Sequence, residues 1–238
     1  MELEKYLLAG AEELKLELPE AAVAAFRQYY NFLQEENQKY NLTAITSEKE
    51  AASKHFLDSL VLKKYLPREK QKMIDLGSGA GFPGLPLAIC CPQLQMVLAD
   101  SVGKKTGFLQ QVIELLKLKS RVEVVQARAE DLGRNSLYRE NFDLVVARAL
   151  APLSVLLEYA LPLLKVGGIF WALKGAAAQE ENEGAVKAYQ KLGGILEGYL
   201  EFALPEGKES RCLLKIRKVE PTPKKYPRKP GIPAKRPL

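Results

Sequence analysis

The reading of this chain turns on residues 73–91, MIDLGSGAGFPGLPLAICC, within 238 residues. Met73-Ile74-Asp75-Leu76 is a short apolar run of the kind that forms a buried parallel strand. It runs directly into Gly77-Ser78-Gly79-Ala80-Gly81. Glycines at alternate positions let the backbone turn sharply and leave bare amides open to a ligand. Pro83 suits the first turn of a helix, where the missing N–H is not needed. Strand, glycine loop and helix start together form the ligand-binding corner of an open α/β sheet.

Two frames compete for this loop. Gly79, Gly81 and Gly84 fit the dinucleotide pattern G-x-G-x-x-G. Asp75, Gly77, Gly79 and Gly81 fit D-x-G-x-G-x-G, which resembles motif I of class I S-adenosyl-L-methionine (AdoMet)-dependent methyltransferases. Asp100 closes the next apolar run, residues 94–99, and can meet ribose hydroxyls in either frame. It therefore does not choose between them.

Outward from the loop, the chain reads as helical before it and as alternating strand and helix after it. Val23, Phe26, Tyr30 and Leu33 recur at helical steps, and Ser47 with Glu50 forms a capping box for a helix from Glu48 to about Tyr65. Lys54, His55 and Asp58 fall within one turn of that helix. Further strands are expected at 95–99, 121–126, 142–147 and 169–173. Helices are expected from Lys104, over 152–164 and over 178–192. Gly167-Gly168 reads as a turn into the fifth strand. Two last strands, 195–204 and 210–217, are joined by a hairpin at Pro205-Glu206-Gly207. The implied fold is α/β, a seven-stranded, mostly parallel sheet with helices on both faces. Its antiparallel end looks like the class I AdoMet-dependent methyltransferase fold rather than a six-stranded dehydrogenase. The organisation expected is an N-terminal helical extension (1–66), an AdoMet-binding domain (67–218) and a basic, proline-rich tail (219–238).

Composition narrows the function classes. Apolar residues make up 47% of the chain, enough for a sizeable core. There is no apolar run long enough for a transmembrane helix and no basic-then-apolar leader, so no membrane is expected. Three cysteines, Cys90 and Cys91 adjacent, do not make a disulfide framework, and a reduced, cytoplasmic setting fits. The net charge of +6 is uneven: residues 215–238 hold nine Lys/Arg, one Glu and six of the fourteen prolines. Such a tail is expected to be extended, mobile and attracted to a polyanion.

Ligands of an open α/β sheet bind outside the carboxyl ends of its strands. That rule selects Gly77 to Phe82, Asp100-Ser101, Arg128-Ala129-Glu130-Asp131, Arg148 and Lys174-Gly175. Acids there can bond ribose hydroxyls or an adenine amino group, and bases can meet phosphate. After the fourth strand stands Ala147-Arg148-Ala149-Leu150. This is not the N/D-P-P-Y/F motif of enzymes that methylate exocyclic amines. No cysteine nucleophile follows strand four or five, and no Cys or His spacing suggests a metal. An acceptor with a free lone pair, such as N7 of guanine, needs alignment rather than proton removal.

Together the residues resemble the RsmG family (glucose-inhibited division protein B), of the Gram-positive type. The matching pieces are Tyr40-Asn41-Leu42-Thr43, His55-x-x-Asp58-Ser59, Asp75 through Gly84, Asp100-Ser101-x-Gly103-Lys104-Lys105, Phe108-Leu109, Arg128-x-Glu130, Arg148-Ala149 and Lys174-Gly175. The tail stretch Lys225 to Gly231 also matches. The resemblance implies methyl transfer from AdoMet to N7 of a guanosine in the 530 loop of 16S rRNA, at the position conventionally numbered 527. It implies an AdoMet pocket of Gly77, Phe82, Ala129, Glu130 and Arg148, with Gly79, Gly81, Asp100 and Ser101 beside them by position. Arg148, Lys174 and His55 are the candidate catalytic residues. His55 reads either as a substrate-side hydrogen-bonding group or as a buried histidine bonded to Asp58 or a loop carbonyl. Lys104, Arg128, Lys174 and Arg211 are candidates for RNA phosphate contact. The expected partner is 16S rRNA or the 30S subunit, met by a monomer. An NAD-dependent oxidoreductase and a non-catalytic AdoMet-binding ribosome factor are the alternatives.

Overall fold

A computed structural model describes residues 2–205 and 209–238. Seven strands form one sheet: β1 (Gln71–Leu76), β2 (Leu94–Asp100), β3 (Val122–Gln126), β4 (Phe142–Arg148), β5 (Leu164–Lys174), β6 (Gly194–Ala203) and β7 (Ser210–Lys218). Their order is β3-β2-β1-β4-β5-β7-β6. The first five run parallel, and β7 lies antiparallel between β5 and β6. The antiparallel end predicted from the last two apolar runs is therefore present. The residues expected to turn between them, 206 and 207, lie outside those described.

The central strands are apolar on both faces because helices cover both, whereas the edge strands β3 and β6 interleave exposed residues with buried or half-buried ones. On β4, Leu144 and Val146 join one apolar layer and Val145 and Ala147 the other. The first layer packs against the N-terminal helices, with Phe26, Tyr29, Phe56, Phe108 and Trp171 all buried. The second packs beneath the helices Leu153–Ala160 and Val186–Leu192. No helix among the described residues is long and apolar enough to cross a membrane.

The N-terminal extension is built onto the domain. Its helices Glu2–Glu13 and Glu20–Tyr40 are clamped by Arg27, whose guanidinium donates to Glu4 at 2.8 and 2.6 Å and to Glu48 at 2.5 Å. Residues 48–65 form one rod, with the Ser47 hydroxyl capping the Glu50 amide as the capping box requires. Over Ala51–Leu57 this rod widens to a π-helical turn that carries Lys54 and His55. The Tyr29 hydroxyl donates to the Ala80 carbonyl, tying the extension to the glycine loop.

Two expectations are corrected. Gly167-Gly168 lies inside β5 rather than before it: the pairing with β4 jumps from Phe142↔Leu164 to Leu144↔Ile169, so the glycines form an irregularity within the ladder. Gly167 takes φ +88°, a conformation that suits glycine in a bulge as well as in a turn. The tail, in turn, is packed and not a free arm. Tyr226 is buried, and Arg228 donates to the fully buried Glu158 carboxylate at 2.6 Å. Arg139 donates to the carbonyls of Thr222 and Tyr226 at 2.6 and 2.8 Å.

Candidate methyl-donor and acceptor clefts

Two clefts open at the carboxyl edge of the sheet. The first, of about 320 Å³, lies over the glycine loop and is lined by Gly77, Asp100, Ser101, Ala129, Glu130 and Tyr159, among others. Gly77, Gly79 and Gly81 have φ of +68°, +60° and +99°, whereas Gly84 does not take a positive value. The left-handed positions thus follow the D-x-G-x-G-x-G frame. Gly84 is glycine for a different reason: a Cβ there would stand 2.4 Å from Leu98 and 2.7 Å from the Asp75 carboxylate.

The two acids of the motif do different work. Asp75 is fully buried on β1 and accepts the Gly84 amide at 2.9 Å, at the start of the helix Gly84–Cys90. Burial, against the pull of that amide and of Arg148, pushes its carboxyl up to about 7. Asp100 lies at the end of β2 in the cleft lining, where it accepts from the amides of Gly79 at 3.0 Å and Val102 at 2.9 Å. Two amides fix the carboxylate but leave it acceptor capacity for a diol. Glu130 is nearly buried, and Tyr159 is beside it, its phenol raised to about 12 first by burial and then by the Glu130 charge.

The second cleft, of about 590 Å³, is lined by Lys54, His55, Asp58, Arg148, Lys174 and Arg211, with apolar residues between them. Arg148 donates to Asp58 at 2.7 Å and to the Lys54 carbonyl at 2.8 Å. The Arg211 guanidinium stands 3.7 Å from the same carboxylate. Lys174 donates to Glu181 and to the Ala151 carbonyl, both at 2.6 Å. His55 shares a hydrogen bond of 2.9 Å with the Thr43 hydroxyl, not with Asp58 or a loop carbonyl, and stacks on Phe82 at 4.3 Å between ring centres. Burial first, and the Arg148 charge second, depress its imidazole to about 3, so it is neutral at physiological pH.

The clefts meet after β4: Ala149 and Leu150 line both. Ala149 is held at φ +51°, which is uncommon for a residue with a Cβ. Of the sequence-predicted cofactor residues, Gly77, Asp100, Ser101, Ala129 and Glu130 line the first cleft, and Arg148 lines the second. Phe82 lines neither. Its ring is buried between His55 and Tyr29, 5.4 Å beneath the Arg148 guanidinium, so it supports the loop from behind. Gly79 and Gly81 shape the loop without lining the cleft; a Cβ at Gly81 would meet Leu85 and the Tyr29 hydroxyl. Among the phosphate candidates, Lys174 and Arg211 lie in the second cleft and Arg128 in the first, while Lys104 lies outside both and donates to the Tyr40 carbonyl at 2.9 Å. Lining residues that sequence reasoning missed include Tyr159, Gly231 and Ala234 in the first cleft and Glu181 in the second. None belongs to a strand end, and no local pattern marks them.

Known proteins resemble this chain over most of its length. A family profile described as rRNA small subunit methyltransferase G matches residues 22–208. A protein named "Ribosomal RNA small subunit methyltransferase G" from Pelotomaculum thermopropionicum is 48% identical over 230 residues, covering 96% of each chain. One of the same name from Bacillus velezensis is 45% identical over 239 residues, covering 100% of this chain and 99% of its own. Among solved structures, M. jannaschii TYW2 in complex with AdoMet superimposes with a TM-score of 0.52 at 16% identity, covering 68% of this chain and 77% of that one, a likeness of fold. A profile match over most of the chain and near-half identity over its whole length leave one conclusion: the chain belongs to the rRNA small subunit methyltransferase G family.

Proposed function

We propose that this chain transfers the methyl group of AdoMet to N7 of a guanosine in the 530 loop of 16S rRNA, at the position conventionally numbered 527, acting in the cytoplasm as a monomer on the small subunit or its rRNA. The observation that carries this reading is the adjacency of two unlike clefts. One sets the glycine loop, its amides held by Ala99, Asp100 and Ser78, beside the buried acids Asp100 and Glu130. The other gathers four basic side chains, Lys54, Arg148, Lys174 and Arg211. A shared wall of Ala149 and Leu150 is where a donor in one could face an acceptor in the other.

The residues present fit AdoMet. A cleft of about 320 Å³ is at the lower end of the range for such ligands. Asp100 and Glu130 supply acceptors for ribose hydroxyls and an adenine amino group, and Gly77 lines the cleft with no side chain to obstruct the ligand. The bound group would supply an electrophilic methyl on a sulfonium. The chain's own work is then to hold the guanine edge-on to the shared wall, to exclude water and to bind the flanking phosphates.

Nothing in the acceptor cleft needs to remove a proton. Guanine N7 carries a free lone pair and becomes cationic on methylation. His55 is kept neutral and stacked, a poor site for a proton at neutral pH. It acts here as a packing residue beneath Arg148. In this reading Arg148 and Lys174 contact the acceptor nucleotide, and their ion pairs with Asp58 and Glu181 fix their direction. Alignment and desolvation of this kind can supply several orders of magnitude in rate.

The test is titration calorimetry with AdoMet and with NAD, followed by methyl incorporation into naked 16S rRNA, assembly intermediates and mature 30S particles. Binding of AdoMet and not NAD, with methylation of at least one of the three RNA forms, is expected. NAD binding would revive the oxidoreductase. AdoMet binding without methylation of any form would indicate a non-catalytic factor.

A further inference from the structure

The tail reads from sequence as an independent arm, yet its end reaches the first cleft. Gly231 and Ala234 stand in the lining beside Asp100 and Glu130. The Gly231 amide donates to the Glu130 carboxylate at 2.9 Å, a bond between residues 101 positions apart. Glu130 is 3% exposed, so this amide is a main determinant of where its charge points. Gly231 takes φ +81°, which a residue with a Cβ would strain to adopt.

The segment is anchored just before that contact. Glu158 is fully buried and is met by Arg228 three ways: by the main-chain amide at 2.7 Å, by Nε at 2.9 Å and by Nη2 at 2.6 Å. A buried carboxylate without this partner would be strongly destabilising, so Glu158 is a socket that, among the described residues, the returning tail satisfies. Gly133 accommodates the same segment: a Cβ there would stand 2.8 Å from Pro227.

We propose that the C-terminal segment is a wall of the cofactor cleft, in which Gly231 positions the Glu130 carboxylate toward the adenosine part of the ligand and Arg228 locks the wall in place. The proposal rests on reading that cleft as the AdoMet site. Gly231 and Arg228 are positioning residues, since they act through Glu130 and Glu158. It follows that cofactor affinity depends on a segment whose composition suggests only RNA attraction.

The experiment uses the full chain and S-adenosyl-L-homocysteine, the demethylated form of the cofactor. Amide hydrogen exchange is measured with and without this ligand. Amides of residues 228–236 are expected to slow on binding together with those of the glycine loop. A second chain, ending at Glu220, is checked for its circular-dichroism spectrum and then titrated. Its affinity should fall about tenfold or more, the loss expected when a buried carboxylate loses a charge-assisted bond. If the glycine loop is protected and residues 228–236 are not, the tail proposal is overturned while the cofactor reading stands. Unchanged affinity in a folded truncated chain would overturn it equally. Absence of any binding by the full chain would overturn the reading of the cleft itself. Should the shorter chain fail to fold, the exchange pattern of the full chain decides.

Discussion

Asp75 offers a prediction that can be worked from the structure. Its carboxyl is fully buried and is raised by burial to about 7 from the ordinary 3.8. The unfolded chain therefore releases this proton near pH 4, and the folded chain only near pH 7. Between those values the folded state holds one more proton, so stability falls as pH rises through the window and levels off above it. At about 1.4 kcal/mol per pK unit, the rise corresponds to a ceiling of about 4 kcal/mol. Asp75→Asn keeps the volume and an oxygen that can accept the Gly84 amide, but carries no charge. Urea unfolding of both chains between pH 4 and pH 8 measures the effect. The advantage of the Asn chain over the native one should grow by about 2–4 kcal/mol between pH 4 and pH 7 and then stay constant. A difference that does not change with pH would refute the argument that Asp75 is a buried, charge-penalised support of the loop.

Other outcomes follow from the same geometry. Gly77→Val should abolish AdoMet binding in calorimetry while circular dichroism stays native-like. Residue 77 sits at φ +68°, and a Cβ there would stand 2.6 Å from Leu150 at the wall between the clefts. Arg148→Ala should lower turnover at saturating AdoMet at least about tenfold, roughly 1.4 kcal/mol of barrier. Intact turnover with only a lower melting temperature would leave Arg148 as no more than the partner of Asp58. His55→Gln should remove part of the acid-side loss of stability: the native imidazole is depressed to about 3, so stability is lost as pH falls from about 6.5 toward 3. Parallel pH–stability curves for the two chains would contradict that. Changing the exposed Lys224, Lys225, Lys229, Lys235 and Arg236 to Gln should weaken RNA binding with a salt slope shallower by roughly two to four, while AdoMet affinity stays unchanged. Coincident salt slopes would show that these cations do not meet RNA.

The sheet was legible because buried parallel strands are continuous apolar runs. Residues 142–147, for example, fall within one residue of β4 as observed. The glycine loop was legible because glycines at alternate positions after a strand serve few other purposes, and their left-handed φ values bear that out. Gly167-Gly168 misleads because a bulge and a turn ask the same of a glycine. The helix expected over 178–192 is broken between Gly184 and Val186, and the sequence hides the break because its amphipathic pattern continues across it. The helix Ala129–Arg134 is too short to show a period. Phe82 is expected as a pocket residue by family resemblance, through its backbone rather than its ring, and the ring position accords with that. Where the ring goes was not legible: it stacks with Tyr29 and His55, partners that the folded N-terminal extension supplies. The tail is the largest surprise for the same reason. Prolines and cations describe a local preference for extended, solvated chain, whereas Glu158 and Glu130 lie 70 and 101 residues away and leave no mark on the tail's own composition.

AdoMet and a guanine N7 are proposed to meet at the Ala149–Leu150 wall. The decisive experiment is incubation of the purified chain with 16S rRNA or 30S particles and methyl-labelled AdoMet, nuclease digestion, and mass spectrometry of the labelled nucleoside. The position is then read by chain cleavage at N7-methylguanosine. One labelled nucleoside, N7-methylguanosine, is expected at a single site in the 530 loop. Label on another atom, or at another site, would overturn the proposed acceptor.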